Sequence, residues 1–176
     1  MAAKISFEAH VENKYCDREI NNQIGNSQGI DQNLVAAIPW QHWFEAWLVA
    51  LEDYLPPAQG YELGLRLTDD QEIQTFNQQY RQKDQPTDVL AFATLDNDAN
   101  LPSEVDDFLY LGDIIISLCT ANRQAEEQQH SLPVEIAWLA SHGFLHLLGC
   151  DHPDQNSLEE MLKRQSFLLK LVEITD

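Results

Sequence analysis

Three closely spaced histidines constrain the fold of this chain more than any other feature of its sequence. They stand in the segment HGFLHLLGCDH as His142, His146 and His152. Two histidines four residues apart on a helix share one face, where both imidazoles can bind the same ion. Gly149 permits a turn with positive φ at the end of that helix, and Pro153 favours an extended conformation for the residue before it. The motif therefore predicts a helix, a turn and a returning segment that together hold one metal ion.

The ligand set predicts one Zn²⁺ per chain. Three neutral nitrogen ligands leave a tetrahedral ion with one open position, which water fills in catalytic zinc sites. One alternative is a closed structural site with Cys150 as fourth ligand, although a Cys-x-His pair offers a cramped bite. A second alternative is a zinc peptidase, because metzincin proteases share this histidine spacing. Those proteases carry a catalytic glutamate directly after the first histidine, where this chain has Gly143.

A second motif, YRQKDQPTDVL at residues 80–90, connects a predicted helix to a predicted strand. Its Arg81 and Lys83 are two of only 10 basic residues in a chain with 29 acidic residues and a net charge of −19. A guanidinium carries fork-shaped donors that match a phosphate group, so Arg81 is a candidate phosphate-binding residue. The alternative is a solvated turn in which Lys83 pairs with Asp84.

The order of the predicted strands and helices indicates a single α+β domain over residues 1–176, with about four strands in a mixed sheet. The histidine spacing makes its metal-binding helix zincin-like. Two stretches, 13–33 and 95–109, are predicted surface loops. The predicted strands are 5–11, 61–67, 89–92 and 110–117. The predicted helices are 39–54, one that opens with a capping box at Asp69, 117–130, 133–148, and one that Ser157 and Glu160 cap.

The negative charge limits the partners of the chain. A surface this acidic repels duplex DNA and anionic membranes, so neither is an expected partner. No apolar run approaches the roughly 18 residues that cross a bilayer, and the first residues do not resemble a secretory signal. The three cysteines are an odd number without a CxxC motif, which is typical of a reducing compartment. A cytoplasmic location is therefore expected.

Together with LGDI at residues 111–114, the two motifs resemble the YbeY family of bacterial metal-dependent endoribonucleases. The resemblance implies a zincin-like fold, one zinc bound through His142, His146 and His152, and a catalytic role for Arg81. It also implies cleavage of single-stranded RNA, in maturation of the 3′ end of 16S rRNA and in quality control of 70S ribosomes. The implied partners are the small ribosomal subunit, ribosomal proteins and a ribosome-assembly GTPase.

The chain departs from the family pattern at two places. Ala91-Phe92-Ala93 replaces the usual Ser-Phe-Pro, and the N-terminal region is unusually long. The general base is also open: Asp113, in an apolar strand, is one candidate, and hydrogen bonding to backbone is its alternative role. Asp151 is expected to orient the neighbouring His152. A further alternative for the whole chain is a ribosome-assembly factor without catalytic activity, in which the zinc is structural.

Overall fold

The computed structural model describes residues 6–15, 30–95 and 108–174. Within them, four strands form one mixed sheet in the order β1-β2-β4-β3. Strands β1, β2 and β4 run parallel to one another, whereas β3 pairs antiparallel with β4 at one edge. The strands are β1 (Ser6–Asn13), β2 (Gly60–Thr68), β3 (Val89–Ala93) and β4 (Phe108–Ser117). The predicted α+β class and four-stranded mixed sheet are confirmed.

Six helices in the described ranges accompany the sheet. A short 3-10 helix, Glu52–Tyr54, follows the second of them. None of these helices is both long enough and apolar enough to cross a membrane. The helices are α1 (Gln32–Ala36), α2 (Trp40–Ala50), α3 (Asp70–Arg81), α4 (Leu118–Gln128), α5 (Leu132–Leu147) and α6 (Gln155–Leu171).

The element boundaries differ from the prediction in a few places. Helix α2 ends at Ala50, and the rest of the predicted helix 39–54 is the 3-10 turn. Helix α1 lies at the end of the predicted loop 13–33, and β4 begins at Phe108, inside the predicted loop 95–109. The remainder of these two predicted loops, residues 16–29 and 96–107, lies outside the described residues.

Helix α6 begins three residues earlier than predicted. Asp154 is its N-cap, and the Asp154 side chain accepts a hydrogen bond from Ser157 N at 2.9 Å. The Ser157 hydroxyl accepts one from Asp154 N at 3.2 Å, so Ser157 closes a capping box from inside the helix. The prediction that Ser157 and Glu160 form the cap was wrong because Asp154 is the better-placed acceptor for the first turn.

The main core fixes α5 against one face of the sheet. Phe144 of α5 packs between Phe44 and Trp47 of α2, at ring-centroid distances of 5.7 and 6.2 Å. The Trp47 indole donates a hydrogen bond to Leu168 O at 2.8 Å, which ties α2 to α6. Helix α3 covers part of the opposite face, where Ile73 packs in a smaller apolar cluster. The sheet therefore separates α3 from the helix that carries the histidine motif.

Candidate metal centre

The three histidines converge at the C-terminal end of α5. The Nε2 atoms of His142 and His146, one helical turn apart, are separated by 3.1 Å. Two nitrogens that each bind a tetrahedral zinc at about 2.0–2.1 Å would lie about 3.3 Å apart. The ring of His152 lies 5.5 and 5.4 Å from the other two rings, and one nitrogen of each imidazole falls within 4.8 Å of the others. This spacing suits three ligands to one ion.

A tight turn after α5 returns the chain to the cluster. Gly149 has φ of +80°, its N–H donates to His146 O, and the N–H of Cys150 donates to Leu145 O, each at 3.0 Å. These two bonds form the Schellman ending that favours glycine at this position. A Cβ added to Gly149 would meet no atom within 4 Å, so a side chain would have room here. Glycine is favoured at this position because of its positive φ. The turn brings His152 back beside α5.

A buried amide that the sequence analysis missed orients the first histidine. Gln165 Oε1 lies 3.3 Å from His142 Nδ1, and Gln165 Nε2 donates to Trp138 O at 3.2 Å. The carbonyl oxygen of Gln165 therefore accepts from Nδ1–H, which leaves His142 Nε2 available for a metal. The sequence carried a signal for this role. Gln165 interrupts the apolar stripe of the last helix between Met161 and Leu168, and it is fully buried.

The surroundings of His142 and His146 favour the neutral imidazole, which is the form that binds metal. Burial lowers the pKa of His142. Burial, followed by the neighbouring His142 and His152, lowers the pKa of His146 to about 4. Neutral imidazole is the form that coordinates zinc, because its lone pair is free. The chemistry of this donor set therefore fits Zn²⁺.

Cys150 does not join the histidine cluster. Its Sγ accepts a hydrogen bond from Arg164 Nη1 at 3.3 Å, and the Arg164 guanidinium lies over the Tyr54 ring at 4.9 Å. Among the described residues, the potential metal-ligand atoms that lie within 4.8 Å of one another here belong to the three histidines alone. The geometry gives no support to a zinc site closed by Cys150.

Gly143, at the position of the protease glutamate, is where α5 rests on the sheet. A Cβ at this residue would lie 2.8 Å from Ile114 Cγ2 on β4. Such a distance is shorter than a normal van der Waals contact, so a larger side chain would push α5 away from β4. The fold therefore requires a very small residue where a metzincin carries its catalytic base.

Arg81 lies in the same cleft as the histidines. The cleft has a volume of about 460 Å³, and its walls also include Asp88, Trp138 and Asp151. Arg81 is the last residue of α3 and is exposed, and no hydrogen bond or ion pair engages its guanidinium within the described chain. The guanidinium is close enough to contribute to the lowered pKa of His146. The structure thus brings together all four predicted site residues.

The loop that follows Arg81 is anchored to its own helix. Asn77, which is buried on α3, donates to Gln85 O at 2.8 Å. Asp84 accepts from Gln74 Nε2 at 2.8 Å, and in the described residues it forms no ion pair with Lys83. Asn77 was also missed in the sequence, although a polar residue on the apolar face of a predicted helix is a signal of this kind. These contacts fix the end of α3, where Arg81 stands.

The structure places Asp113 outside the cleft and Asp151 in contact with His152. Asp113 is not in the cleft: it accepts from Tyr110 OH at 2.7 Å and lines a separate cavity of about 600 Å³ on the opposite face of the sheet. Side chains alternate along β4, so Ile114 faces α5 and Asp113 faces away from it. The interpretation of Asp113 as a candidate general base was therefore wrong. Asp151 does contact His152, but its carboxylate accepts from the backbone N–H at 2.8 Å and so fixes the main chain.

Comparisons with known proteins agree on one family. Residues 23–173 match the family model described as Endoribonuclease YbeY. A protein of that name from Trichormus variabilis is 52% identical over 160 residues, covering 90% of this chain and 91% of its own. Another, from a Picosynechococcus species, is 53% identical over 151 residues, covering 86% and 93%. The solution structure of a Thermotoga maritima protein aligns with a TM-score of 0.54 at 21% identity, over 94% of this chain and 89% of that one, which supports the fold alone.

Proposed function

Since the chain belongs to the YbeY endoribonuclease family, we propose that it is a zinc-dependent endoribonuclease that cleaves single-stranded RNA. The observation that carries the proposal is the convergence of three imidazoles on a single cleft, together with a guanidinium that has no partner among the described residues. Imidazole nitrogens are ligands for zinc, and a free guanidinium is a ligand for phosphate. A phosphodiester bond is the substrate group that uses both.

Each protein group has a distinct task in this reaction. His142, His146 and His152 would hold the zinc, whose Lewis acidity polarises a phosphoryl oxygen or lowers the pKa of a coordinated water. Arg81 presents its donors to the non-bridging oxygens and stabilises the charge that develops on them in the transition state. Gln165 keeps His142 in the orientation that directs Nε2 into the cleft.

Asp88 lines the cleft as a structural group. Its Oδ1 accepts from Val89 N at 2.8 Å, and its Oδ2 accepts from Gln124 Nε2 at 3.0 Å. These two contacts fix the junction between the Arg81 loop and β3. The attacking group in the proposed reaction is the RNA 2′-OH or a water.

The biological role proposed for the chain is maturation of the 3′ end of 16S rRNA and quality control of 70S ribosomes in the cytoplasm. The family description as an endoribonuclease supports RNA as the substrate, and the ribosomal role follows from the resemblance of the sequence motifs to that family. The net charge of −19 adds a physical constraint, since few cations are available to bind RNA phosphates. Correct placement on rRNA would therefore depend on the small ribosomal subunit and on assembly factors as protein partners.

The test compares three substrates with one zinc-loaded preparation. We expect cleavage of labelled single-stranded RNA, little cleavage of duplex RNA and no digestion of casein, because a rigid duplex cannot bend its phosphate into a recessed cleft. A zinc chelator and the His146→Ala variant should both abolish cleavage. Chelator-sensitive digestion of casein without RNA cleavage would favour the peptidase. A protein that binds one zinc and hydrolyses neither substrate would favour the assembly factor.

A further inference from the structure

A second cavity lies beside the metal cleft, between α4 and α5, with a volume of about 710 Å³. The half-buried side chain of Trp138 belongs to the walls of both the cavity and the cleft. Trp138 precedes His142 by four residues, so the two side chains share one face of α5 and lie about 6 Å apart along its axis. A group bound against the indole in this cavity would therefore be a direct neighbour of a phosphate held in the cleft.

The walls of this cavity suit a neutral, planar and polar group. Gln124 and Gln128 contribute amides, and Ser131 contributes a hydroxyl. The one carboxylate, Glu135, is buried and lies 2.5 Å from His130 Nε2, so that an imidazole neighbour compensates it. No Lys or Arg among the described residues lines the cavity, which argues against a phosphate there. An aromatic wall with amide and hydroxyl groups is the environment in which proteins bind single nucleobases.

Hydrogen bonds also connect the wall of the cavity to the wall of the cleft. Gln124, on the cavity wall, donates to Asp88 Oδ2 on the cleft wall at 3.0 Å. The backbone of Asp88 in turn accepts from Ser117 N at 2.9 Å, at the start of α4. This network holds the two spaces in a fixed relation, so a ligand that fills both must have its own groups at a matching spacing.

We propose that the cavity binds the base of the nucleotide that adjoins the scissile phosphate, with that base stacked on Trp138. This inference rests on the proposed function and adds a specificity determinant to it. A base can enter the cavity only after it leaves its stack and its pairing partner. The cavity thus supplies a physical reason for preferring single-stranded RNA, because a base in a duplex would have to be unpaired first.

The first experiment measures base binding without any cleavage. Zinc-loaded protein is titrated with AMP, and the indole N–H signal of Trp138, assigned with the Trp138→Phe variant, is followed by NMR. Ribose 5-phosphate is the matched probe without a base. Because Trp138 also lines the cleft, we expect ribose 5-phosphate to shift its signal slightly and AMP to shift it several-fold further. Equal shifts with both probes, or a shift with neither at millimolar concentration, would overturn the proposal whether or not the protein cleaves RNA.

The second experiment is a double-mutant cycle on cleavage. Removal of the base at one position of a short RNA should lower kcat/KM roughly tenfold, as expected for loss of one stacked base. Trp138→Ala should lower kcat/KM on the intact RNA by a similar factor and should add nothing on that abasic RNA. Losses that multiply at every position of the RNA would overturn the proposal.

Two further variants separate stacking from folding. Trp138→Phe should keep most of the activity, whereas Trp138→Leu, which keeps an apolar side chain, should behave like Trp138→Ala. Phe167→Ala removes an exposed aromatic ring on α6 that lines neither space, and it should match the wild type. If the wild type cleaves no RNA while AMP still shifts the Trp138 signal, the base site stands and the proposed function fails.

Discussion

Gln165 Oε1 lies 3.3 Å from His142 Nδ1, so a side chain of the last helix sets the orientation of the first metal ligand. The amide is fixed at its other end by Trp138 O, and the residue is fully buried. Rotation of the amide would break both contacts. An acceptor at Nδ1 keeps the imidazole hydrogen on that atom and directs the lone pair of Nε2 toward the other histidines. The metal centre therefore extends beyond the three ligands.

Replacing Gln165 should weaken zinc binding without removing a ligand. We expect Gln165→Leu to lower the zinc affinity roughly 10- to 100-fold, as is typical when a hydrogen bond to a ligating histidine is lost. Competition with a chromophoric chelator measures the affinity, and circular dichroism checks the fold. Leu169→Ala, which removes core packing on the same helix, is the control and should leave the affinity unchanged. Equal weakening in both variants would assign the effect to α6 stability.

The second prediction concerns the ligands themselves. Protein purified without added metal should contain about one zinc per chain, and His146→Ala should contain none, because two imidazoles cannot hold zinc against the buffer. Elemental analysis by mass spectrometry measures the content. His42→Ala changes an exposed histidine on α2 and should keep the zinc. Full zinc content in a His146→Ala, His152→Ala double variant would disprove the site.

Arg81 should affect catalysis and leave metal binding intact. We expect Arg81→Ala to retain its fold and its zinc but to lose activity on single-stranded RNA by roughly 10²–10³, as for loss of one transition-state donor. Arg81→Lys should also be impaired, since an ammonium cannot reproduce two parallel hydrogen bonds. Lys83→Ala, two residues along the same loop, should stay within a few-fold of wild type. If Arg81→Ala cleaves RNA at the wild-type rate, Arg81 has no catalytic role and is only a solvated residue of the turn.

The lowered pKa of His146 predicts how the metal-free protein responds to acid. Its pKa is about 4 in the folded chain, against an ordinary histidine value of 6.5. Between these values the unfolded chain takes up a proton that the folded chain does not, so the free energy of unfolding falls as the pH drops through this window. His146→Gln should show a smaller fall between pH 7 and 5 in urea titrations. Parallel pH dependence in both proteins would contradict the lowered pKa.

Gly143 should be intolerant of a methyl group. We expect Gly143→Ala to cost about 1–3 kcal/mol of stability, because its Cβ would press on Ile114 and displace α5. Denaturant unfolding measures the loss. The double variant Gly143→Ala, Ile114→Ala tests the cause, since removing the Ile114 side chain makes room for the methyl. Its cost should be smaller than the sum of the two single costs, and strict additivity would mean that the two residues do not meet.

Features of the fold that depend on neighbouring residues were predictable from sequence patterns. The histidine spacing, Gly149 and the helix period lie within one short segment, and the structure has the helix, the turn and the returning ligand there. Strand alternation located all four strands to within a few residues. The side of the sheet that Asp113 faces was not predictable, because alternation separates two faces without indicating which one receives α5.

Roles that depend on distant partners were also beyond the sequence. Gln165 acquires its function from a helix that precedes it, and Asn77 acquires its function from a loop carbonyl. Both were visible as polar residues among apolar ones, but nothing in the sequence named their partners. The prediction of the α6 N-cap was wrong for a different reason. Asp154 and Ser157 are both good N-cap residues, and only the course of the preceding chain decides between them.

The Trp47–Leu168 hydrogen bond joins the second helix to the last one, so the site is complete only after the last helix has packed against the rest of the chain. During synthesis all three histidines emerge before α6 does, so a nascent chain has its zinc ligands before it has Gln165 to orient them. A chain that stops short of Gln155 would carry the complete ligand motif with neither the buried amide nor the partner of Trp47. We therefore expect a chain that ends before Gln155 to bind zinc more weakly than the full chain does, because the orienting amide of Gln165 is missing.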